Sequence, residues 1–380
     1  NDFNSIVTRQ LCQQVPPQTW DPIAKWLGLI KDGSRYIFHR DGIAKYLFGF
    51  YPMQHYTYEY WNRERGAFTG NRAAQHVAAR ESLFERPYNY KDGYRSAFIK
   101  NELANKASPY DVRLISGASH RFNVELSPSI LSFSKWLYSA WGVLNTDQHY
   151  GIHRYVFYTS GSTVTGISDW IYRQMERLDV ASIQDGSLCF VAADESRQDA
   201  HVSNYVLDFE RHLFEAVGIS PYILQQLKDC KRSRGFTRSG LGYYRDGGRN
   251  TGDPHTSSGN SLNNALKTLY TLYKLLPPFS WKNPPFFIMI QGDDSLIFIL
   301  KEYFQYLTSE SISAISKDLG FNVRFCDLAT SIWELDYCSR YFWPTHDHPL
   351  GYVLAPKIGK VLAKAGFARK RVDNNYVHNR

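Results

Sequence analysis

The stretch "IMIQGDDSLIFI" (Ile288–Ile299) decides how the chain is read, because it sets two adjacent carboxylates between two runs of apolar, β-prone residues. Such runs broken by Gly and Asp read as two strands joined by a tight turn, with Asp293 and Asp294 at the hairpin tip. Like charges that close repel, so the arrangement is costly unless the turn exposes them or a cation neutralises them. The triplet alone carries little weight. Average composition puts a Gly-Asp-Asp in roughly one chain in ten of this length, and Asp-rich turns are ordinary.

A second hydrophobic run, "SLCFVAAD" (Ser187–Asp194), ends in its own carboxylate and continues as "DESRQD", which brings Asp199 after four intervening residues. If this strand pairs beside the hairpin, Asp194 and Asp293 meet at one sheet edge. Opposed carboxylates there form a cage for two divalent cations about 4 Å apart. Bound cations remove the repulsion between Asp293 and Asp294, and they suit in-line phosphoryl transfer to a hydroxyl nucleophile. Asp199 equally suits the N-terminus of the helix that follows.

That helix carries Val202, Tyr205, Val206, Phe209, Leu213, Phe214 and Val217 at helical spacing. A Gly- and Arg-rich insertion follows at Lys231–Arg249, then a long helix from about Ser261 to Leu276 stopped by Pro277 and Pro278. Beyond the hairpin the pattern predicts one helix over 301–319 closed by Gly320, and strands at Phe321–Phe325 and Glu334–Phe342. From about Ser187 onward the order implies an α+β layer, with helices against one antiparallel sheet. The first 180 residues are irregular and aromatic-rich, without a repeat.

Charge is unevenly spread. Residues 63–121, 231–249 and 357–380 carry surpluses of 5, 5 and 6 positive charges, which leaves the rest of this +8 chain at −8. Three basic islands in an acidic background fit a polyanionic partner. Five scattered cysteines (Cys12, Cys189, Cys230, Cys326, Cys338) without a C-x-x-C pair argue against a disulfide framework or a zinc ribbon. His346–His348 is the densest histidine patch and reads as solvated loop rather than metal site. No apolar run approaches the ~18 residues of a transmembrane helix. No initiator Met or signal peptide precedes Asn1, so the chain is expected to be a processed product or part of something longer.

The third chemical element is "TGDPHTSSGN" (Thr251–Asn260), leading into the long helix. With it the chain resembles the RNA-dependent RNA polymerases of positive-strand RNA viruses, most of all those of tombusviruses and their flavivirus-group relatives. In that family's terms motif A is "DESRQDAHVS", motif B "TGDPHTSSGN", motif C "QGDD" and motif E "LDYCSR" (Leu335–Arg340). The basic motif F is "VRLISGASHRFNVE" (Val112–Glu125), preceded by "AFIKNE" (Ala97–Glu102). The resemblance runs from about Phe98 to Arg340, in the family's order.

It implies a right-hand polymerase whose antiparallel palm sheet is backed by helices. Fingers would span 1–184, with motif F near 98–125, and the insertion 216–249. The palm would hold 185–215 and 250–345, and 346–380 would begin a thumb, short for a complete one. The implied activity is template-directed RNA synthesis from NTPs with two Mg²⁺ ions, Mn²⁺ being able to substitute. Asp194, Asp293 and Asp294 would be the catalytic metal ligands, helped by the Glu195 carbonyl. Asp199, Thr256 and Asn260 would read the ribose 2′ hydroxyl, which both donates and accepts hydrogen bonds. Gly252 would give the motif B loop its turn. Arg113, Arg121, Lys100 and Arg197 would bind triphosphate or template by charge-assisted bonds.

The chain departs from the family at Thr251, where Ser is usual, and at Gln198, where an aromatic is common. It lacks the motif D lysine, Lys317 and Arg324 being the nearest basic residues. Implied partners are template and nascent RNA, NTPs and other replication-complex proteins. The implied setting is the host cytoplasm, at membrane-associated replication complexes reached through regions outside this chain. Two other readings are a reverse transcriptase, which the Asp199–Asn260 pair argues against, and a catalytically silent RNA-binding replication protein.

Overall fold

The computed structural model describes residues 19–49, 52–64, 71–100, 113–142 and 155–365. Cys12, Asn101, Glu102, Val112 and residues 366–380 lie outside them. A small hairpin, β1 (Leu29–Asp32) and β2 (Arg35–Phe38), comes first. β3 (Arg95–Ile99) and β4 (Leu114–Ala118) pair antiparallel and lead into helix α1 (His120–Trp141). Ser119 starts α1 by accepting a hydrogen bond from the Phe122 amide (3.1 Å). Its core stripe runs through Phe122, Leu126, Phe133, Leu137 and Trp141.

β5 (Val156–Tyr158) and β6 (Leu188–Glu195) then enter the core. Helix α2 (Asn204–Ala216) follows with Ser203 as its cap and buries Val206, Phe209, Leu213 and Phe214 of the expected stripe, whereas Tyr205 is exposed and Val202 and Val217 lie outside the helix. The Arg-rich insertion is not a loop. It forms β7 (Arg232–Thr237) and β8 (Gly242–Asp246), which join the earlier strands in a four-stranded sheet ordered β4-β3-β7-β8. Its strict in–out alternation carries Arg and Gly at positions where a sequence reader looks for Val or Ile, which hid the strands.

Helix α3 spans Thr256–Leu275, five residues earlier than the apolar pattern alone places it. β9 (Phe286–Gln291) and β10 (Asp294–Leu300) are the expected hairpin. The single helix expected over 301–319 is two, Lys301–Phe304 and α4 (Ser309–Asp318). Thr308 interrupts it in an extended conformation and closes a capping box with Ser311. β11 runs Val323–Ala329, shifted from the expected 321–325. The strand expected over 334–342 forms only as β12 (Arg340–Pro344), because Cys338 and Ser339 both take positive φ (52° and 62°), which bends the chain. β12 pairs with β13 (Tyr352–Pro356) in a separate hairpin.

The central sheet is ordered β11-β6-β10-β9-β5. Its pairs are antiparallel except β5–β9, which is parallel, so the expected antiparallel sheet holds with one parallel edge. β6, β9 and β10 are apolar on both faces, and α3 packs on β9 and β10. The chain is thus a mixed α/β fold rich in antiparallel sheet.

The four-stranded sheet is fastened to the loop before α3 by a buried ion pair. Arg95 Nη2 lies 2.8 Å from Asp253 Oδ1, both side chains being almost fully enclosed, and Arg95 also sits over the Phe122 ring. Removing one partner strands the other charge in the interior. Arg95→Met is expected to cost about 3–5 kcal/mol in chemical denaturation, more than a surface arginine such as Arg232, whose change stays within about 0.5 kcal/mol.

Candidate functional site

Register brings the carboxylates together. β6 and β10 pair antiparallel with Ser295 opposite Ala193, so the next step along the ladder sets Asp294 opposite Asp194. Opposed residues in such a ladder share a face, with Cβ atoms about 4.5–5.5 Å apart. Asp194 and Asp294 thus stand near enough for the charge of one to act on the other, while Asp293, expected to meet Asp194, belongs to the turn. Gly292 takes φ of +64°, which opens a two-residue connection between Gln291 and Asp294 that L-residues disfavour.

The turn is held from below by α3. Asn264 Nδ2 donates to the carbonyls of both Gly292 and Asp293 (3.0 Å each), and the Gly292 amide donates to Ser261 Oγ (2.8 Å). Neither Asn264 nor Ser261 was singled out in the sequence. The available signal was a polar stripe (Asn260, Ser261, Asn264, Lys267, Thr268) on a helix otherwise lined by Leu262, Leu266, Leu269 and Leu272. All five polar residues are buried.

The cluster is electrostatically stressed. Burial, then the charges of Asp293 and Asp194, push the Asp294 carboxyl up to about 7, and the Cys338 thiol opposes this by hydrogen bonding to it. Restricted hydration and the charge of Asp199 raise Asp293, while Arg113 pulls it down. Glu195, expected to lend only its carbonyl, turns its side chain into a buried ion pair with Lys267 of α3. Among the described residues no three His, Cys, Asp or Glu side chains stand close enough to enclose an ion by themselves. Carboxylates close enough for their charges to act on one another nevertheless fit a divalent cation whose remaining ligands are water and a bound phosphate, the usual habit of Mg²⁺.

Beside the carboxylates lies a polar relay. Asp199 accepts from Asn260 Nδ2 (2.7 Å) and from Thr251 Oγ1 (3.1 Å). Asn260 Oδ1 accepts from Arg249 Nε (3.1 Å), and Arg249 is ion-paired with Glu210, which also accepts from Asn263 (2.6 Å). Arg249 and Glu210 are buried, so each needs the other. Gln198, unusual by family standards, is buried and donates to the Asn260 carbonyl (3.2 Å).

Three expectations need correction here. Thr256, expected to read the ribose together with Asp199 and Asn260, spends its hydroxyl on the Asn250 carbonyl (2.8 Å), and it is Thr251 that donates to Asp199. Gly252 does not supply a left-handed turn. It has no positive φ, and it is glycine because its backbone rides on β4, where an added Cβ would lie 2.5 Å from the Ser116 carbonyl oxygen and 2.7 Å from Gly117 Cα. Arg121 is a structural arginine, donating to Asp92 (2.9 Å), Ser82 and the Arg86 carbonyl. A guanidinium spent on three internal acceptors does not line a channel.

The other basic residues are better placed. The Lys100 amide donates to the Arg113 carbonyl (2.8 Å), which sets the two residues opposite each other just beyond the paired ends of β3 and β4. Arg113 lies within electrostatic reach of Asp293. Arg197 is exposed, with φ of +53°, at the turn between β6 and the helix Gln198–His201. His348 contacts Asp169 (3.0 Å) and accepts from the Leu350 amide, as a loop histidine does.

Neighbouring carboxylates at a sheet edge thus stand beside a hydrogen-bonded Asp–Asn pair, with Arg113 within electrostatic reach. The chain belongs to the viral RNA-dependent RNA polymerase family, whose profile matches residues 54–376. It is 25% identical over 308 residues to the RNA-directed RNA polymerase of Pothos latent virus (isolate Pigeonpea/India), covering 78% of this chain and 37% of that protein. The enzyme so named from Panicum mosaic virus (strain United States/Kansas 109S) is 29% identical over 187 residues, 48% of this chain and 17% of that one. That of Carnation mottle virus is 25% identical over 287 residues, 69% and 33%. The chain thus spans about a third or less of the length of these relatives. No helix among the described residues is long and apolar enough to cross a membrane.

The raised Asp294 has a consequence for stability. Its carboxyl holds its proton to about pH 7 in the fold, whereas it ionises near 3.9 when unfolded. The unfolded chain therefore gives up the proton first, and the metal-free protein loses stability as pH rises through that window. Asp294→Asn removes the charge and is expected to raise the melting temperature at pH 8 while leaving it nearly unchanged at pH 4. Thermal melts in EDTA at the two pH values decide it.

Proposed function

We propose that the chain carries the catalytic portion of a viral replicase and joins NTPs to an RNA 3′ end on an RNA template. The observation that supports this most directly is the placement of Asp194 and Asp294 across β6–β10 with Asp293 at the turn beside them. These carboxylates would hold divalent cations, Mg²⁺ by the hardness of the donors. When bound, such ions supply a more acidic 3′ hydroxyl and neutralise the departing pyrophosphate. The residues of the chain do the rest. β6 and β10 fix the spacing of the carboxylates, Asn264 and Ser261 fix the turn, and Arg113 and Lys100 offer donors to the triphosphate.

The same reading gives the chain a right-hand arrangement. The central sheet and α3 would form the palm (185–215 and 250–345), the four-stranded sheet would lie in the fingers, and β12–β13 would lead to a thumb. RNA and NTPs are the proposed ligands. Replication-complex proteins and membrane-bound complexes in the host cytoplasm are the proposed setting, reached through regions outside this chain.

Primer extension on an RNA template with Mg²⁺ tests the proposal. Asp194→Ala and Asp294→Ala are each expected to cut incorporation by about 10²–10³-fold or more, the scale of losing one main electrostatic stabiliser. Extension that persists unchanged in both variants would overturn it.

Ribose selection is a separate test. Asp199 is oriented by two donors, so it is ready to accept from a 2′ hydroxyl. Asn260→Ala removes one of them, and the ratio of kcat/KM for NTP over dNTP is expected to fall by about tenfold or more, as for a lost site hydrogen bond. An unchanged ratio would remove the Asp199–Asn260 pair from that role.

A further inference from the structure

The four-stranded sheet has one face against the protein and one in solvent. Arg95, Ala97, Leu114, Ser116 and Tyr243 point inward and are buried. Outward, Phe98 is 42% exposed, Phe236 49% and Tyr244 51%. Exposed aromatics gathered on one sheet face form the kind of patch that marks interaction sites, as singly scattered ones do not.

The two phenylalanines lie over glycines of neighbouring strands. A Cβ placed on Gly117 would be 3.8 Å from Phe98 Cε1, and one on Gly242 would be 3.3 Å from the Phe236 ring. Register agrees, since Phe98 is opposite Ile115 two positions from Gly117, and Phe236 is directly opposite Gly242. A ring seated over a neighbouring backbone keeps an open surface toward solvent. The bland reading is that aromatics merely cover the glycines of a weak sheet. That accounts for the rings but not for the charges beside them.

Those charges are Arg232, Arg234 and Arg238, all exposed on β7 or its turn, with Tyr244 directly across from Arg234. The carboxylate opposite Arg232 is Asp246, at 3.8 Å. The sheet also adjoins the carboxylate site, because β4 carries the Gly252 loop and Arg113, next to β4, lies within electrostatic reach of Asp293. Exposed rings interleaved with arginines match the two things a single strand offers, a π-face on every base and a phosphate between bases. A protein partner would supply the phosphate-like charge only if acidic, and would not need the flat seats.

We propose that this outer face is a platform for single-stranded RNA, with Phe98 and Phe236 stacking bases and Arg232, Arg234 and Arg238 contacting phosphates. The proposal rests on the polymerase reading and extends it to the outer face of this sheet.

Fluorescence anisotropy with end-labelled oligoadenylate, across a range of KCl concentrations, tests it. The Phe98→Leu/Phe236→Leu double variant keeps apolar bulk but loses the π-faces, and is expected to weaken binding about tenfold or more with an unchanged salt slope. Phe98→Tyr/Phe236→Tyr is expected to bind as the parent does. Arg234→Gln is expected to lower the slope of log affinity against log salt by about 0.7. Parent-like affinity in the leucine variant, or equal loss in the tyrosine variant, overturns the platform. So does a change of sedimentation behaviour without a change in RNA affinity, which would mark a protein interface. If the parent extends primers while the leucine variant binds RNA normally, the platform alone fails. If the parent neither binds RNA nor extends primers, the polymerase reading fails with it.

Discussion

The structure depends on a clamp. Two carboxylates opposed across β6 and β10, and a third in the adjoining turn, push the hairpin tip away from its neighbour strand. Two unit charges about 5 Å apart at an effective dielectric near 20 repel by about 3 kcal/mol. Three hydrogen bonds from α3 hold the tip down, two from Asn264 and one to Ser261. At about 1 kcal/mol each they offset a repulsion of that size without exceeding it. The balance matters because it leaves the site neither collapsed nor splayed, and a raised proton affinity at Asp294 is its residue. A cation entering the cluster takes up charge that the protein has already brought together.

The clamp also explains why α3 is so polar inside. A central helix packed on a sheet normally buries leucines, and α3 does so at Leu262, Leu266, Leu269 and Leu272. Its other face buries amides and a lysine, which would be costly without partners. Each buried group that faces the site answers a group on another element: Asn260 meets Asp199, Asn263 meets Glu210, Asn264 meets the turn, and Lys267 meets Glu195. One helix therefore sets the relative position of β6, the hairpin and the residues around Asp199.

The hairpin, the strand ending in Asp194 and the helix after it were legible because each carries a strong periodic signal. Apolar runs broken by Gly-Asp-Asp leave few alternatives to a turn. What stayed hidden was hidden for stated reasons. β7 alternates Arg and Phe with buried Ser, Gly and Thr, and β8 buries Tyr243 and Arg245 between Gly242, Tyr244 and Asp246, so their period of two does not show in hydropathy. The break at Thr308 is a cap inside an otherwise continuous helical pattern. Arg121 and Arg113 have the same side chain in the same basic stretch, yet only the fold reveals that Asp92 occupies the first, a partner 29 residues away. Thr251 and Thr256 are likewise interchangeable on paper. Only the path of the loop over β4 decides which hydroxyl reaches Asp199.

That path turns on Gly252, and it ties the fold to the chemistry. The loop touches β4 closely enough for the Gly252 amide to donate to the Ser116 carbonyl (3.1 Å), an approach a side chain would block. Contact there holds Thr251 against Asp199 and Arg249 against Asn260, because the Arg249 amide also donates to the Asp199 carbonyl (2.7 Å). Arg249 in turn fixes which end of the Asn260 amide faces Asp199: its own N–H claims the oxygen and leaves the NH₂ for the carboxylate. With both oxygens of Asp199 already engaged by donors, a further hydroxyl must bind along a remaining lone pair, in a direction set by Glu210 and Arg249 far behind the site. The orientation of the Asp199 carboxylate is therefore decided, through Asn260, by the buried Arg249–Glu210 ion pair.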